Sequence, residues 1–230
     1  MLSQIPRAEN APELLDEPLH DRHELEQSLD HVAAVNRWLG GVRSLMLHVE
    51  PLLEDGVRVL DVGTGSADLP RRIVQTARRR NLQIRVTATD LHPQMRELAA
   101  ARCAEYPEIE IDDADALALK YPDSSFDIAT LSLTLHHFDG NEQLRVLQEL
   151  ARVAKVVVVN DLRRNRLNYV GAKLLGLTFW RVNRLTRHDG PLSVLRAFTP
   201  DELLQLSLRA GLQGRVYTHY FERVVLVAHA

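Results

Sequence analysis

The fold is decided by a short apolar run that passes directly into a glycine-rich turn, Val57-Arg58-Val59-Leu60-Asp61-Val62-Gly63-Thr64-Gly65-Ser66-Ala67. The first six residues predict a buried strand, and a helix is predicted to begin directly after the turn. A strand, a Gly-x-Gly turn and a helix in this order are typical of nucleotide-type cofactor sites, although Gly-x-Gly alone is a weak signal.

Strands and helices alternate on both sides of this turn. The predicted strands cover residues 57–62, 84–89, 109–111, 126–131 and 155–160, and the predicted helices between them cover residues 67–80, 93–106 and 142–153. Because the strands are apolar along their length and are separated by helices, the pattern predicts a parallel sheet covered on both faces.

The flanking segments divide the chain into a lead-in and one domain. Residues 1–20 are rich in proline and acids and predict a mobile or loosely docked lead-in. Within the domain, 21–230, we expect four parts: an N-terminal helical cap at 21–54, the cofactor-binding core at 55–162, a helical lid insertion at 163–198, and a C-terminal helix with a hairpin at 199–230. Thr199 is the predicted N-cap of that last helix, with Pro200 as its first residue.

The composition excludes several classes of protein. The 230 residues carry 28 Lys and Arg against 31 Asp and Glu, a net charge of −3, which disfavours a whole-surface polyanion binder. The single cysteine, Cys103, excludes a disulfide scaffold and a zinc site with several thiolates. The single cysteine also favours a reducing compartment, so we predict a cytoplasmic protein. The sequence shows neither a signal-peptide apolar region nor a membrane-spanning run.

The acids around the glycine turn narrow the choice of cofactor. The third glycine of a dinucleotide fingerprint would fall at position 68, where an aspartate opposes a pyrophosphate at the helix N-terminus. Asp61 precedes the turn, Asp90 ends the next strand, and Asp115 follows later in the chain. This acidic setting favours a cofactor that has a ribose and a cationic centre but no phosphate.

The sequence from Val59 to Ala67 resembles the first motif of class I S-adenosylmethionine-dependent methyltransferases, an acid followed by Gly-x-Gly-x-Gly. Ala67 replaces the third glycine. Asp90 matches the family's ribose-binding acid, and Asp115 with Ala116 matches the pair that meets the adenine edge. Residues 121–127, 132–133 and 135–138 resemble the segments on either side of the fourth strand.

The resemblance is strong over about residues 55–160 and implies both a fold and a cofactor site. The implied fold is a Rossmann-like, doubly wound, seven-stranded and mostly parallel α/β sheet with an antiparallel last strand. The implied cofactor is S-adenosylmethionine. The implied cofactor-binding residues are Asp61, Gly63, Thr64, Gly65, Asp68, Asp90, Leu91, Asp115, Ala116, Ser132, Leu133 and His137.

The acceptor side is less defined. Methyl transfer from a sulfonium is an in-line displacement, and an oxygen acceptor loses a proton, so a histidine base is expected. The candidate catalytic residues are His136, His137, His188 and Asp161, each with a local structural role as the alternative. The candidate acceptor-pocket residues are Asn36, Tyr169, Lys173 and Trp180. We predict no metal, because the fourth strand ends at Ser132 without an acid and Asn160-Asp161 is too little for an oxygen-ligand cage.

The lid insertion has an unusual charge distribution. Residues 163–188 contain seven Lys and Arg and no acid. Three interpretations remain: a solvated lid face, a contact with an anionic surface such as a membrane or a carrier protein, or RNA phosphates. Nucleic acid is disfavoured because RNA recognition usually adds stacking aromatics, and the adjacent Phe179 and Trp180 are expected in the core. In addition, the Asn/Asp-Pro-Pro-aromatic motif of many nitrogen-methylating or RNA-modifying enzymes is absent after the fourth strand.

The sequence therefore predicts a methyltransferase that acts on a hydroxyl of a hydrophobic, phenolic or polyketide-like small molecule, similar in layout to quinone-biosynthesis and natural-product enzymes. The alternatives are an RNA methyltransferase that uses residues 163–188, a non-catalytic cofactor-binding scaffold and, more distantly, a nicotinamide dehydrogenase. The oligomeric state is left open.

Overall fold

The computed structural model describes residues 5–9, 11–219 and 222–230. A seven-stranded sheet forms the centre, in the order β3-β2-β1-β4-β5-β7-β6. Its strands are β1 (Arg58–Val62), β2 (Arg85–Thr89), β3 (Ile109–Asp112), β4 (Phe126–Ser132), β5 (Ala154–Leu162), β6 (Gln213–His219) and β7 (Arg223–His229). Neighbours from β3 to β5 pair in parallel, whereas β7 runs antiparallel to both β5 and β6. This topology confirms the predicted fold class.

Helices cover both faces of the sheet. They are α1 (Arg22–Trp38), α2 (Gly41–Val49), α3 (Asp68–Arg79), α4 (Pro93–Arg102), α5 (Asn141–Val153), α6 (Arg166–Leu177), α7 (Arg184–Arg196) and α8 (Pro200–Arg209). Because side chains alternate along a strand, Leu60 packs into the core under α5 and α8, and its neighbour Val59 packs into the core under α2 and α3. The sheet is thus buried on both sides, as the apolar strands predicted.

The strand order reverses between β1 and β4. Ligands of open α/β sheets bind at such a switch point, outside the carboxyl ends of the strands. The glycine turn after β1 and the segment after β4 both lie at this edge, so the topology brings the predicted site residues together.

The C-terminal helix begins as the sequence predicted. The Thr199 side chain accepts from the backbone N–H of Glu202, and the Glu202 carboxylate accepts from the N–H of Thr199, which together form a capping box. The predicted turn of the final hairpin includes Phe221, which lies outside the described residues.

The lead-in differs from its prediction as a mobile or loosely docked segment. The backbone N–H groups of Leu14 and Leu15 donate to the two carboxylate oxygens of Asp189 on α7, each at 2.9 Å. Arg7 Nε donates to the carbonyl of Arg196 at 2.9 Å. Composition suggested solvation, but these polar groups find partners on α7 instead. Residues 1–4 and 10 of that prediction lie outside the described residues.

The segment predicted as a lid insertion, called the lid below, contains α6 and α7. Helix α7 continues through Gly190 and Pro191, residues that often end helices. A glycine is needed at position 190 because an added Cβ would lie 2.4 Å from Cζ3 of Trp180. In the described part of the chain, no helix is both long and apolar enough to cross a membrane.

Candidate active site

The glycine turn after β1 depends on left-handed backbone. Gly63, Gly65 and Ala67 have φ of +66°, +52° and +54°. A Cβ at Gly63 would also lie 2.6 Å from the side chain of Thr134, whereas at Gly65 the nearest atom, in Leu29, would be 3.8 Å away. Position 63 therefore requires glycine on two grounds. Ala67, the departure from the family motif, adopts the conformation that glycine favours, at a cost of about 1–2 kcal/mol.

The acid at the end of β2 braces this turn. One carboxylate oxygen of Asp90 accepts from the N–H of Gly65 at 2.9 Å, and the other accepts from the N–H of His92 at 3.0 Å. Burial raises the pKa of Asp90, and the two N–H donors oppose that rise. Leu91, beside it, is exposed. Asp90 is thus fixed against the glycine turn, where the family places its ribose-binding acid.

The acid before the turn is buried. Asp61 is 2% exposed, and Thr130 Oγ1 donates to its carboxylate at 2.6 Å. Burial raises the pKa of Asp61 to about 7, against the lowering effect of the Thr130 hydroxyl. A cation bound nearby would favour the ionised form, which suits a cofactor with a positive centre.

The other cofactor candidates lie around the same edge. Ser66 Oγ donates to Asp68 at the start of α3 at 3.2 Å, and Asp115 accepts from the N–H of Leu117 at 2.8 Å. After β4, Leu133 has a φ of +57°, a conformation that L side chains rarely adopt. Its N–H donates to the carbonyl of Asn160 at 2.9 Å. Such strain is commonly held at functional sites.

Two histidines and three carboxylates form a cluster at the ends of β4 and β5. His136 Nδ1 lies 2.7 Å from Asp161 Oδ1, and His137 Nδ1 lies 2.9 Å from Asp16 Oδ1. The carboxylate of Glu13 faces both rings, 3.7 Å from His136 Nε2 and 3.8 Å from His137 Nε2. The structure therefore brings three predicted catalytic residues together and adds Glu13 and Asp16 from the lead-in, which the sequence analysis missed.

The cluster changes the protonation of His137. Burial alone would lower the pKa of His137, but the negative charge of Glu13 and the hydrogen bond to Asp16 outweigh it and raise the pKa to about 9. His137 is therefore an imidazolium at neutral pH. The pair is asymmetric in its surroundings, since His136 is 2% exposed whereas His137 is only partly buried.

Several buried polar atoms near β5 have no hydrogen-bond partner among the described residues. They are Asn36 Oδ1, Thr64 Oγ1, Asn160 Oδ1, Asp161 Oδ2, and Nε and Nη1 of Arg223. Each such orphan costs about 1–3 kcal/mol if nothing binds it. Those that lie at the ligand-binding edge of the sheet indicate a place where a polar ligand or water completes the bonding.

Arg223 is the most unusual member of this group. It begins β7 next to Asp161 on β5, and it is 2% exposed. Burial lowers the pKa of Arg223 to about 10, and the negative charge of Asp161 opposes the shift. A Cβ added at Gly41 would overlap Asn36 Oδ1 and would lie 3.2 Å from Cζ of Arg223. The guanidinium and the predicted pocket residue Asn36 are therefore neighbours beside Gly41.

The remaining predicted catalytic and pocket residues lie in the lid. His188 is half exposed, with Nδ1 2.7 Å from the carboxylate of Asp189. Lys173 is exposed, and its Nζ lies 5.4 Å from the ring centroid of the partly buried Tyr169. Trp180 is buried in the small core of the lid. Lys173 is exposed and Trp180 packs between α6 and α7, and the pocket-lining roles of these residues stay predictions.

One group of side chains has the spacing of metal ligands. Ligand atoms of Glu13, His136 and His137 all lie within 4.8 Å of one another. However, Nε of the buried Arg196 lies 4.0 Å from Glu13 Oε1, and this guanidinium donates to the carbonyls of His136 and His137 at 2.8 and 2.7 Å. A cation already stands beside the carboxylate, and the absence of a metal stays a prediction.

Comparisons with known proteins agree with this geometry. Residues 59–156, from β1 into β5, match a family model described as a methyltransferase domain. Residues 59–156 therefore carry a methyltransferase domain of the class I S-adenosylmethionine-dependent type. The cofactor of this family is S-adenosylmethionine, and the predicted family and cofactor are both confirmed.

The relatives of this methyltransferase include quinone-biosynthesis enzymes. A demethylmenaquinone methyltransferase of Deinococcus radiodurans is 36% identical over 90 residues, which cover 39% of this chain and 36% of the relative. A ubiquinone/menaquinone biosynthesis C-methyltransferase of Rickettsia akari is 29% identical over 100 residues, 42% of this chain and 40% of the relative. Both matches span less than half of the relative's own length.

Among solved structures, the methyltransferase is similar to a SAM-dependent methyltransferase from Aquifex aeolicus. The TM-score is 0.66 with 18% identity, over 91% of this chain and 98% of the other. At this identity the likeness shows a shared fold.

Proposed function

We propose that this methyltransferase acts on the ring of a hydrophobic quinol- or phenol-type small molecule and forms the new bond at a ring carbon beside an oxygen. The sequence analysis favoured the oxygen itself. The names of the relatives support the carbon, because they include a C-methyltransferase and demethylmenaquinone methyltransferases. Methylation at the oxygen and methylation at the ring carbon both begin with loss of the ring hydroxyl proton, so both require a general base.

The observation that carries the proposal is the polar cluster beside the glycine turn. His136 and Asp161 form a hydrogen-bonded pair at 2.7 Å, and Asp161 has no exposed surface. With Nδ1–H held by Asp161, the neutral ring of His136 keeps its lone pair at Nε2. This pair thus has the arrangement of a general base whose orientation is fixed by a second group.

Three residues then have distinct roles. His136 accepts the ring hydroxyl proton at Nε2, and Asp161 stabilises the imidazolium that results. Arg223 supplies its two unpartnered N–H donors to the oxyanion left on the ring. S-adenosylmethionine supplies the methyl group when bound. On the carbon route, the hydrogen displaced from the ring carbon leaves as a proton to water.

The acidic turn binds the cofactor, and the histidine cluster binds the acceptor. Asp90 and the glycine turn hold the cofactor on one side of the β1/β4 switch point, and the cluster at β4 and β5 meets the acceptor on the other. In-line displacement requires that the methyl group of the cofactor and the acceptor atom be aligned and shielded from water. The lead-in covers the cluster through Glu13, which is 3% exposed.

The test is a methyl-transfer assay with reduced naphthoquinones and simple phenols, read by mass spectrometry, with the methylated position assigned by NMR. We expect a C-methyl product, and we expect His136→Asn to lower kcat about 10²- to 10⁴-fold with S-adenosylmethionine affinity unchanged by calorimetry. His229 is an exposed histidine at the opposite end of β7 from Arg223 and serves as the control. His229→Asn should leave kcat unchanged.

Two results would contradict the proposal. If His136→Asn and Asp161→Asn both retain full kcat, the pair is not the base. If the protein binds S-adenosylmethionine but methylates none of these rings, the acceptor class is wrong. An O-methyl product would instead support the hydroxyl that the sequence analysis favoured.

A further inference from the structure

The outward face of α6 is apolar. An α-helix advances about 100° per residue, so Leu167, Val170, Leu174 and Leu177 project on one side. All four are exposed, and Leu177 is 70% exposed. The opposite side carries the small buried residues Ala172 and Gly176, which face α7. In an ordinary surface helix the apolar stripe faces the core, so the polarity of α6 is reversed.

The apolar surface continues beyond the helix. Phe179 and Val182 follow in the connection to α7 and are 52% and 73% exposed. Six of the twelve large apolar side chains that are exposed in the described chain lie between residues 167 and 182. They are therefore concentrated in one patch, and such patches mark interaction sites. We call these six residues the lid patch.

Basic side chains flank the lid patch. Arg166, Lys173 and Arg181 are exposed and form no ion pair within the described residues. Residues 163–188 contain no acid that would neutralise them. The surface therefore combines an apolar centre with positive charge.

We propose that the lid patch binds the surface of an anionic phospholipid bilayer. Apolar side chains on a helix with basic neighbours match the acyl boundary and the charged headgroups of such a surface at the same time. Four of the six residues of the patch lie on the outer side of α6 and present their side chains outward, as insertion between headgroups requires.

Other occupants fit less well. A second copy joined through the same patch would bring two positive faces together. RNA would meet the charges, but single-stranded bases stack on aromatic side chains, and the lid patch offers only Phe179 among aliphatic residues. The proposal concerns an interaction surface and does not depend on the proposed acceptor.

The test is co-sedimentation of the full chain with vesicles of phosphatidylcholine, with and without phosphatidylglycerol. We expect binding only when phosphatidylglycerol is present, with affinity that falls as salt rises. Leu174→Asp with Leu177→Asp should weaken binding at least about tenfold, because two inserting side chains become anionic. Arg181→Ala should weaken it about fivefold, the effect of about 1 kcal/mol per basic residue.

Matched controls come from elsewhere on the surface. Leu208→Asp on α8 and Arg72→Ala on α3 change residues of the same exposed types, and both should bind as the wild type does. Because the substituted side chains are exposed, each variant should fold as the wild type does. Circular dichroism and thermal melting verify this.

Three outcomes would overturn the proposal. In the first, binding to phosphatidylglycerol vesicles is absent or unchanged by the two aspartates. In the second, light scattering shows a dimer that the aspartates dissociate, which assigns the patch to a second copy. In the third, the protein binds single-stranded RNA but not vesicles, and Arg181→Ala weakens that binding.

Discussion

Alanine at Gly63 should disrupt the cofactor turn through a specific contact with Thr134. Left-handed φ alone costs an alanine about 1–2 kcal/mol, and this applies equally to Gly65, whose φ is also positive. At position 63 the new Cβ would also lie 2.6 Å from both Cγ2 and Oγ1 of Thr134. Overpacking of this kind costs about 1–3 kcal/mol more. We therefore expect Gly65→Ala to lose about 1–2 kcal/mol of unfolding free energy, and Gly63→Ala about 2–5 kcal/mol.

A double-mutant cycle isolates the contact. Thr134→Ala removes Cγ2 and Oγ1 and leaves Cβ, which lies 3.1 Å from the added methyl position. The substitution also removes the weak bonds from Thr134 Oγ1 to the carbonyls of Gly63 and Ser132, at 3.4 and 3.1 Å. In this background Gly63→Ala should cost little more than Gly65→Ala does in the wild type. The expected coupling energy is about 1–3 kcal/mol.

The assay is urea unfolding of the four proteins without cofactor, followed by calorimetry with S-adenosylmethionine. Binding should fall with Gly63→Ala and recover partly with Thr134→Ala, because the turn regains its shape. Additive effects of the two substitutions on unfolding would refute the reasoning. The cost at position 63 would then come from backbone conformation alone.

Three further predictions concern buried charge and the lid. Burial raises the pKa of Asp61 to about 7, so the ionised carboxylate destabilises the fold. Asp61→Asn should therefore raise the free energy of unfolding of the cofactor-free protein at pH 8, measured by urea titration, and weaken S-adenosylmethionine binding, measured by calorimetry. Unchanged stability between pH 4 and 8 would contradict this prediction. Glu13→Gln should lower the pKa of His137 from about 9, which NMR can follow. The stability that is lost as pH rises through the pKa of His137 should then be lost at a lower pH. An unchanged titration of His137 would contradict this prediction. Gly190→Ala should speed amide exchange in α6 and α7, because its methyl would overlap Trp180, and equal exchange would show that the ring can move aside.

The local parts of the fold were predictable from sequence. The strand, turn and helix at residues 57–80 depend on neighbours in the chain, and so does the cap at Thr199, which forms its bonds within three residues. The parallel sheet followed from apolar strands alternating with helices. The motif order then gave the cofactor, because each acid falls at the carboxyl end of a strand.

The acceptor side was less predictable, because its contacts are distant along the chain. Glu13 and Asp16 lie more than a hundred residues from His137, and no local pattern signals that Glu13 is buried within an acid-rich lead-in. Arg223 begins an apolar strand, and a single arginine there gives no sign of being fully buried. Trp180 was predicted as a pocket residue because it is large and apolar, but its place depends on the absence of a side chain at Gly190.

The docking of the lead-in on α7 has a consequence for the order in which the molecule is built. Arg7 and Arg196 are separated by 189 positions, and Leu14 and Asp189 by 175. Contacts of such long sequence separation are slow to form, and a nascent chain cannot form them until α7 has left the ribosome. The histidine cluster is therefore closed only after α7 has been synthesised, later than the cofactor half of the sheet.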